Sequence, residues 1–225
     1  MRQDDPIRND PAPGRMARSL DRLVAQIRAC RVCRDDPVGL RLPHEPRPVL
    51  RVSTTARIAV CGQAPGIRVH ASGKPFTDPS GVRLRRWMAV TEDEFYDTRR
   101  IAIVPVGFCF PGYDAAGADL PPRRECAPLW QARLFAELPK LELMLLIGHH
   151  AQRWHLGAGA GGSMTRTVER WREILGSPGR SRAIPLPHPS WRNNAWVKRN
   201  PWFEAEVIPL LQQEVRGLLE HQVVR

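Results

Sequence analysis

Short continuous apolar runs punctuate an otherwise polar, glycine-broken chain. Ile58-Ala59-Val60-Cys61, Ile101–Val106, Leu141–Ile147 and Ala183–Leu186 are uninterrupted rather than alternating, the pattern of strands buried on both faces. Between them the spacing turns helical. Leu20, Leu23, Val24 and Ile27 share one helical face behind Ser19, which is expected to cap that helix, with residues 1–18 as a flexible tail. Val82–Met88, Arg123–Glu137, His149–Leu156, Thr165–Leu175 and Trp202–Leu219 are further predicted helices. Leu129, Leu134, Phe135, Trp202 and Phe203 are their core candidates. Strands alternating with helices predict an α/β protein. The expected architecture is a three-layer α/β/α sandwich around a central, mostly parallel four-stranded sheet, in a single domain over residues 19–225.

The first strand stops at Gly62, where Gly62-Gln63-Ala64-Pro65-Gly66 imposes a sharp turn. A polar loop follows and closes on Pro75-Phe76-Thr77-Asp78-Pro79-Ser80-Gly81 before the next helix. The carboxyl edge of a parallel sheet, at such a turn, is where α/β proteins place ligands. Two other irregular stretches, Pro37–Arg51 and Gly107–Pro122, read as connectors, and Gly157–Ser163 as a small loop.

Composition narrows the partners. Hydrophobic content of 42% and charged content of 25% are globular values. Lys and Arg number 34 against 23 Asp and Glu, a net charge of +11 that favours nucleic acid or another polyanion. No run approaches the ~18 apolar residues of a membrane span, and the polar start carries no secretory signal. A cytoplasmic protein without membrane contact is expected, and a monomer, there being no oligomer signal. Of the five cysteines, Cys61 lies inside a strand and is expected to pack as a small apolar side chain. Cys30 and Cys33 form a C-x2-C pair, and Cys109 and Cys126 flank poorly structured sequence. Together they supply four thiolates for an iron–sulfur cluster or a structural zinc, or else stay as two pairs of buried thiols.

Three motifs resemble the uracil-DNA glycosylase superfamily, most closely its iron–sulfur (family 4-like) branch. Gly62-Gln63-Ala64-Pro65-Gly66 is similar to the first motif of that branch, in which a Glu usually stands where Gln63 is. Gly73-Lys74-Pro75-Phe76 with Ser80-Gly81 resembles its uracil-stacking segment, and Leu186-Pro187-His188-Pro189-Ser190 its late HPS motif. The resemblance implies a DNA-repair glycosylase acting on DNA that contains a damaged base, with a four-iron four-sulfur cluster on Cys30, Cys33, Cys109 and Cys126. Aligned on Cys109, the Asn that reads uracil is replaced by Pro105, which has no side-chain donor or acceptor.

Glycosidic cleavage leaves a cation-like sugar and an anionic base, and this chemistry assigns expected roles. Phe76 is the stacking platform for a flipped base, or else a core residue under the loop. His188, held between prolines, donates a hydrogen bond to the departing base. Gln63 orients water or the base edge but cannot act as a general base. Asp78 activates water or stabilises the cation, or merely caps the following helix. Gly62, Ala64, Pro65, Gly66 and Ser190 complete the expected base-binding set. Trp191, Arg192, Asn193, Asn194, Lys198 and Arg199, in a stretch that also holds Trp196, combine cations with an apolar wedge suited to DNA. Arg83, Arg85 and Arg86 face either phosphates or solvent. No lysine stands out as a Schiff-base nucleophile, so a monofunctional hydrolase is expected. The rival expectations are a glycosylase for hypoxanthine or xanthine, and a DNA-binding relative with weak or no catalysis.

Overall fold

A computed structural model of the chain, which describes residues 13–220, contains four strands: β1 (Ile58–Cys61), β2 (Ile101–Ile103), β3 (Leu143–Ile147) and β4 (Arg182–Leu186). All neighbouring pairs are parallel, in the order β2-β1-β3-β4, with Val60 opposite both Ile103 and Leu145. The helices are α1 (Pro13–Arg28), α2 (Val32–Asp35), α3 (Ile67–Ser72), α4 (Pro79–Met88), α5 (Glu92–Tyr96), α6 (Cys126–Ala136), α7 (Gly148–Leu156), α8 (Met164–Glu169), α9 (Trp171–Gly176), α10 (Asn194–Arg199) and α11 (Ile208–Glu220). None of them is long and apolar enough to cross a membrane.

The two-residue period of a strand separates the chain into two cores. Ile58 and Val60 turn to one face, against Leu84 and Trp87 of α4, Phe95 of α5, Trp171 of α9 and Leu211 of α11. Ala59 and Cys61 turn to the other, against Leu20, Leu23 and Ile27 of α1, Leu134 of α6 and Ala151 of α7. Helices cover both faces, the three-layer α/β/α arrangement expected. Cys61 is fully buried among these apolar side chains, and burial pushes its thiol pKa up.

β2 ends at Ile103, short of its apolar run, and Pro105, on the same side as Ile103, lacks the N–H that would extend the pairing with the Arg51 segment on the outer edge. The backbone nevertheless continues beside β1: Val104 donates to the Val60 carbonyl at 2.9 Å and Val106 to that of Gly62 at 2.9 Å. The outer edge of β2 is covered by Arg51, which exchanges hydrogen bonds of 3.0 and 2.7 Å with Ile103. A covered edge offers no template for another chain.

Several expectations are corrected. The first helix begins at Pro13, so residues 13–18 are helical rather than tail, and residues 1–12 lie outside the described residues. Ser19 therefore sits within α1 and caps nothing; its hydroxyl donates to Glu137 Oε1 at 2.7 Å. Leu129 is 37% exposed, on the outer side of α6, whereas Leu134 is fully buried. The segment 165–175 divides into α8 and α9 at Arg170. The terminal helix opens with a widened π turn over Phe203–Val207, where Pro209 lacks the N–H that an α turn would direct to residue 205. Trp202 is half-buried, and Phe203 is fully buried.

Candidate active site

The loops after β1, β2 and β4 meet at the carboxyl edge of the sheet. They surround a cavity of about 260 Å³ whose lining includes Gly62, Gln63, Ala64, Pro65 and Gly66 after β1, Pro105 after β2 and His188 after β4, with Phe76, Asp78 and Ser80 closing one side. Sheet order puts β1 at the centre, between β2 and β3, and the chain leaves it in opposite directions. That is the switch point where a crevice forms between loops.

Phe76 is held unusually. Its φ is +57°, a left-handed conformation rare for a bulky residue. Its carbonyl accepts from Arg85 Nη1 at 3.1 Å and shares the Tyr96 hydroxyl, at 3.1 Å, with the Pro75 carbonyl at 2.6 Å. The same oxygen packs on Gly81, where an added Cβ would lie only 1.8 Å away. Glycine is thus the only residue type this approach admits at position 81. The ring reaches back to Gly62, whose hypothetical Cβ would sit 3.7 Å from Phe76 Cζ. The other edge packs T-shaped on buried Phe95, with centroids 5.9 Å apart. Phe76 is therefore a half-buried cavity wall rather than a core residue. Arg85 faces inward for this purpose and is not available to phosphates.

Asp78 caps α4, its Oδ1 accepting from the Ser80 hydroxyl at 2.5 Å and from the Gly81 N–H at 3.2 Å. The residue also borders the cavity, and its charge acts on His188. His188 is pushed below the ordinary imidazole pKa by burial, an effect opposed by Asp78 and reinforced by Arg192. The net shift favours the neutral imidazole. Asn193 Nδ2 donates to its carbonyl at 2.7 Å, which fixes the turn. Behind it, Gly148 adopts φ +78° and leaves its Cα open toward the His188 side chain. Gln63 donates from Nε2 to the Leu120 carbonyl at 3.2 Å. Its carbonyl oxygen is the part left to meet a ligand.

Tyr96, Arg85, Arg68 and Asp119 were not expected at this site. Arg68 and Asp119 line the cavity. Tyr96 belongs to α5, which the sequence does signal through the capping box of Thr91 with Glu94. Asp119 lies in the irregular 107–122 loop, where no periodicity points to it.

The segment after His188 splits in its roles. Trp191 is 72% exposed, with the Arg192 guanidinium 5.4 Å from its ring centroid. Trp196 instead enters the core, donating from Nε1 to Thr165 Oγ1 at 2.8 Å and packing on Trp202 and Phe203. Ser190 is not part of the cavity lining; its carbonyl accepts from Arg83 Nη1 at 3.2 Å. Asn194 and Lys198 form a separate groove of about 310 Å³ with Arg83 and Arg86. Asn193 serves the turn, and Arg199, exposed, bonds the Ala195 carbonyl.

Cys30, Cys33, Cys109 and Cys126 come together around one small cavity beneath α1 and α6. Burial pushes the Cys33 thiol up to about 11 and that of Cys109 up to about 12. Three donors oppose this. The Phe108 N–H points at Cys126 Sγ at 3.3 Å, the Arg47 backbone N–H at Cys109, and the Arg123 side chain at Cys33. Donors aimed at sulfur suit thiolate ligands. Among the described residues no three His, Cys, Asp or Glu side chains are grouped so as to hold a metal ion.

Residues 51–212, from the edge-covering segment into α11, match the family model described as the uracil DNA glycosylase superfamily.

Proposed function

Because the chain belongs to the uracil DNA glycosylase superfamily, we propose that it is a monofunctional DNA glycosylase that hydrolyses the N-glycosidic bond of uracil in DNA and leaves an abasic site. The observation that carries this reading is that the Phe76 ring and the His188 imidazole border one cavity at the carboxyl edge of the sheet. A base rotated out of the stack lodges against Phe76. Neutral His188 donates a hydrogen bond to the oxygen where negative charge develops, and a neutral donor leaves the base anionic instead of sharing its charge with a cation. Asp78, one oxygen committed to the α4 cap, places negative charge near the sugar. Gln63 offers its amide oxygen to the base edge. None of the residues around the cavity is a lysine, which supports water rather than an amine as nucleophile. Trp191 is the wedge that fills the gap left by the base, while Arg192, Lys198 and the Arg83–Arg86 groove contact phosphates.

The four cysteines are read as ligands of a four-iron four-sulfur cluster, as in the iron–sulfur branch. What supports this reading is that the four cysteines border one cavity and that N–H donors point at their sulfurs; a structural zinc is the alternative. The cluster would tie α1 to the 107–122 loop and supplies no step of the hydrolysis.

A second reading, excision of hypoxanthine or xanthine, is favoured by Pro105, which lines the cavity with no side-chain donor or acceptor. Purified protein incubated with oligonucleotides carrying each lesion separates the readings. Uracil release supports the first and release of another base the second. Tight binding without product leaves a DNA-binding relative.

A further inference from the structure

Hydrolysis needs a group to take the proton of the attacking water. Gln63 carries no charge, and Asp78 already engages two donors through Oδ1. One other carboxylate lines the cavity, that of Asp119.

The 107–122 loop doubles back on itself to present this side chain. Tyr113 and Asp119 form an antiparallel bridge, and Leu120 donates to the Gly112 carbonyl at 2.9 Å. The Gln63 amide then anchors the loop to the first turn through the Leu120 carbonyl at 3.2 Å. As a result Asp119 Oδ2 hangs over Gly66, 3.5 Å from where a Cβ would stand. The carboxylate has no structural partner: among the described residues it accepts no hydrogen bond, and Arg192 acts on it only at a distance. Asp119 is exposed at the cavity rim, and the water it does lose there raises its pKa, the direction that makes a carboxylate a better proton acceptor.

We propose that Asp119 is the general base of the hydrolysis and that Gln63 is a positioning residue that holds the Asp119 loop over the cavity. The assignment rests on the glycosylase reading above. The bond from sugar C1′ to the base nitrogen breaks and its electron pair leaves on the base. The water oxygen bonds C1′ while its proton passes to an Asp119 carboxylate oxygen. His188 holds the anionic base until it takes a proton from solvent.

The test uses the full chain with Asp119→Asn, Asp119→Glu and Gln63→Ala, each checked for folding by circular dichroism. Single-turnover release from a uracil-containing duplex should slow by about 10²–10⁴-fold in Asp119→Asn, recover in part in Asp119→Glu, and fall less in Gln63→Ala. A rim carboxylate with no chemical role predicts the opposite: Asp119→Asn would bind DNA more tightly, having lost a negative charge near phosphates, with no slower release. That result overturns the proposal. A second readout needs no turnover. The wild type should bind a duplex carrying a cationic pyrrolidine abasic analogue at least about tenfold more tightly than one carrying the neutral tetrahydrofuran analogue, a gap of about 1.4 kcal/mol. Asp119→Asn should lose most of that preference, leaving the part that belongs to Asp78, and an unchanged preference refutes the assignment. If the wild type releases none of the three bases, the glycosylase reading fails, and the analogue preference alone then decides whether Asp119 faces the sugar.

Discussion

Substituting Gly81 with alanine should do more damage than any other exchange of one hydrogen for a methyl group near the cavity. The new Cβ would stand 1.8 Å from the Phe76 carbonyl oxygen, 2.5 Å from its carbon and 2.9 Å from its Cα. All three atoms are backbone, so no side chain can swing away. Relief requires the Phe76 carbonyl to move, and that carbonyl holds the hydrogen bonds from Tyr96 and Arg85. The Tyr96 hydroxyl keeps its shorter bond to the Pro75 carbonyl, so the loss is the bond to the charged donor, about 2 kcal/mol, with about 2 kcal/mol more for overpacking against backbone. The total is about 4 kcal/mol, or a fall in Tm of about 8–16 °C for a domain of this size. Urea denaturation followed by tryptophan fluorescence measures it, with an unchanged slope against denaturant marking a pure stability effect. Gly176→Ala, where an added methyl meets nothing within 4 Å, is the control. Any base excision should fall together with stability, because the Phe76 ring turns with its backbone. A Gly81→Ala protein within about 1 kcal/mol of the wild type would refute the account of how Phe76 is held.

Other consequences are as specific. Trp191→Ala should weaken affinity for DNA by about 1–3 kcal/mol in a fluorescence anisotropy titration, with little change in Tm, since the ring is 72% exposed. Asp78→Ala should cost about 1 kcal/mol of stability through the lost cap, whereas Asp78→Asn keeps an acceptor and should cost a few tenths; the excision rate of the Asn variant then isolates the effect of the charge. Cys33→Ala should abolish a brown colour with absorbance near about 400 nm and lower stability by more than about 4 kcal/mol, as loss of a structural metal centre does; retained iron would exclude Cys33 as a ligand. Burial depresses the His155 pKa from 6.5 to about 4. Its contribution is complete above pH 6.5 and is lost as pH falls toward 4, by up to about 3 kcal/mol. His155→Phe should flatten that limb of a pH–stability curve.

How far the sequence could be read depended on the range of the forces involved. Continuous apolar runs identified all four strands, because burial on both faces leaves no other place for them. The Gly62–Gly66 turn and the Pro75–Gly81 segment could be located because glycine and proline act on their own backbone. The capping box at Thr91 is equally local, yet the short α5 that it opens was not expected. The pattern did not separate Trp191 from Trp196. Both lie in one basic stretch, yet one projects to solvent and the other packs on Phe203.

The amino-acid order alone determined the parallel α/β framework, the family resemblance and the set of residues able to carry the chemistry, since each depends on spacing along a few neighbouring positions. Only the tertiary structure decided which of them meet. It bent Phe76 into a left-handed conformation against Gly81, joined cysteines from three segments around one cavity, and set Asp119 of an irregular loop over Gly66. Those contacts span residues distant in sequence and are stabilised by packing and hydrogen bonds that exist only once the sheet and its two helical layers have closed.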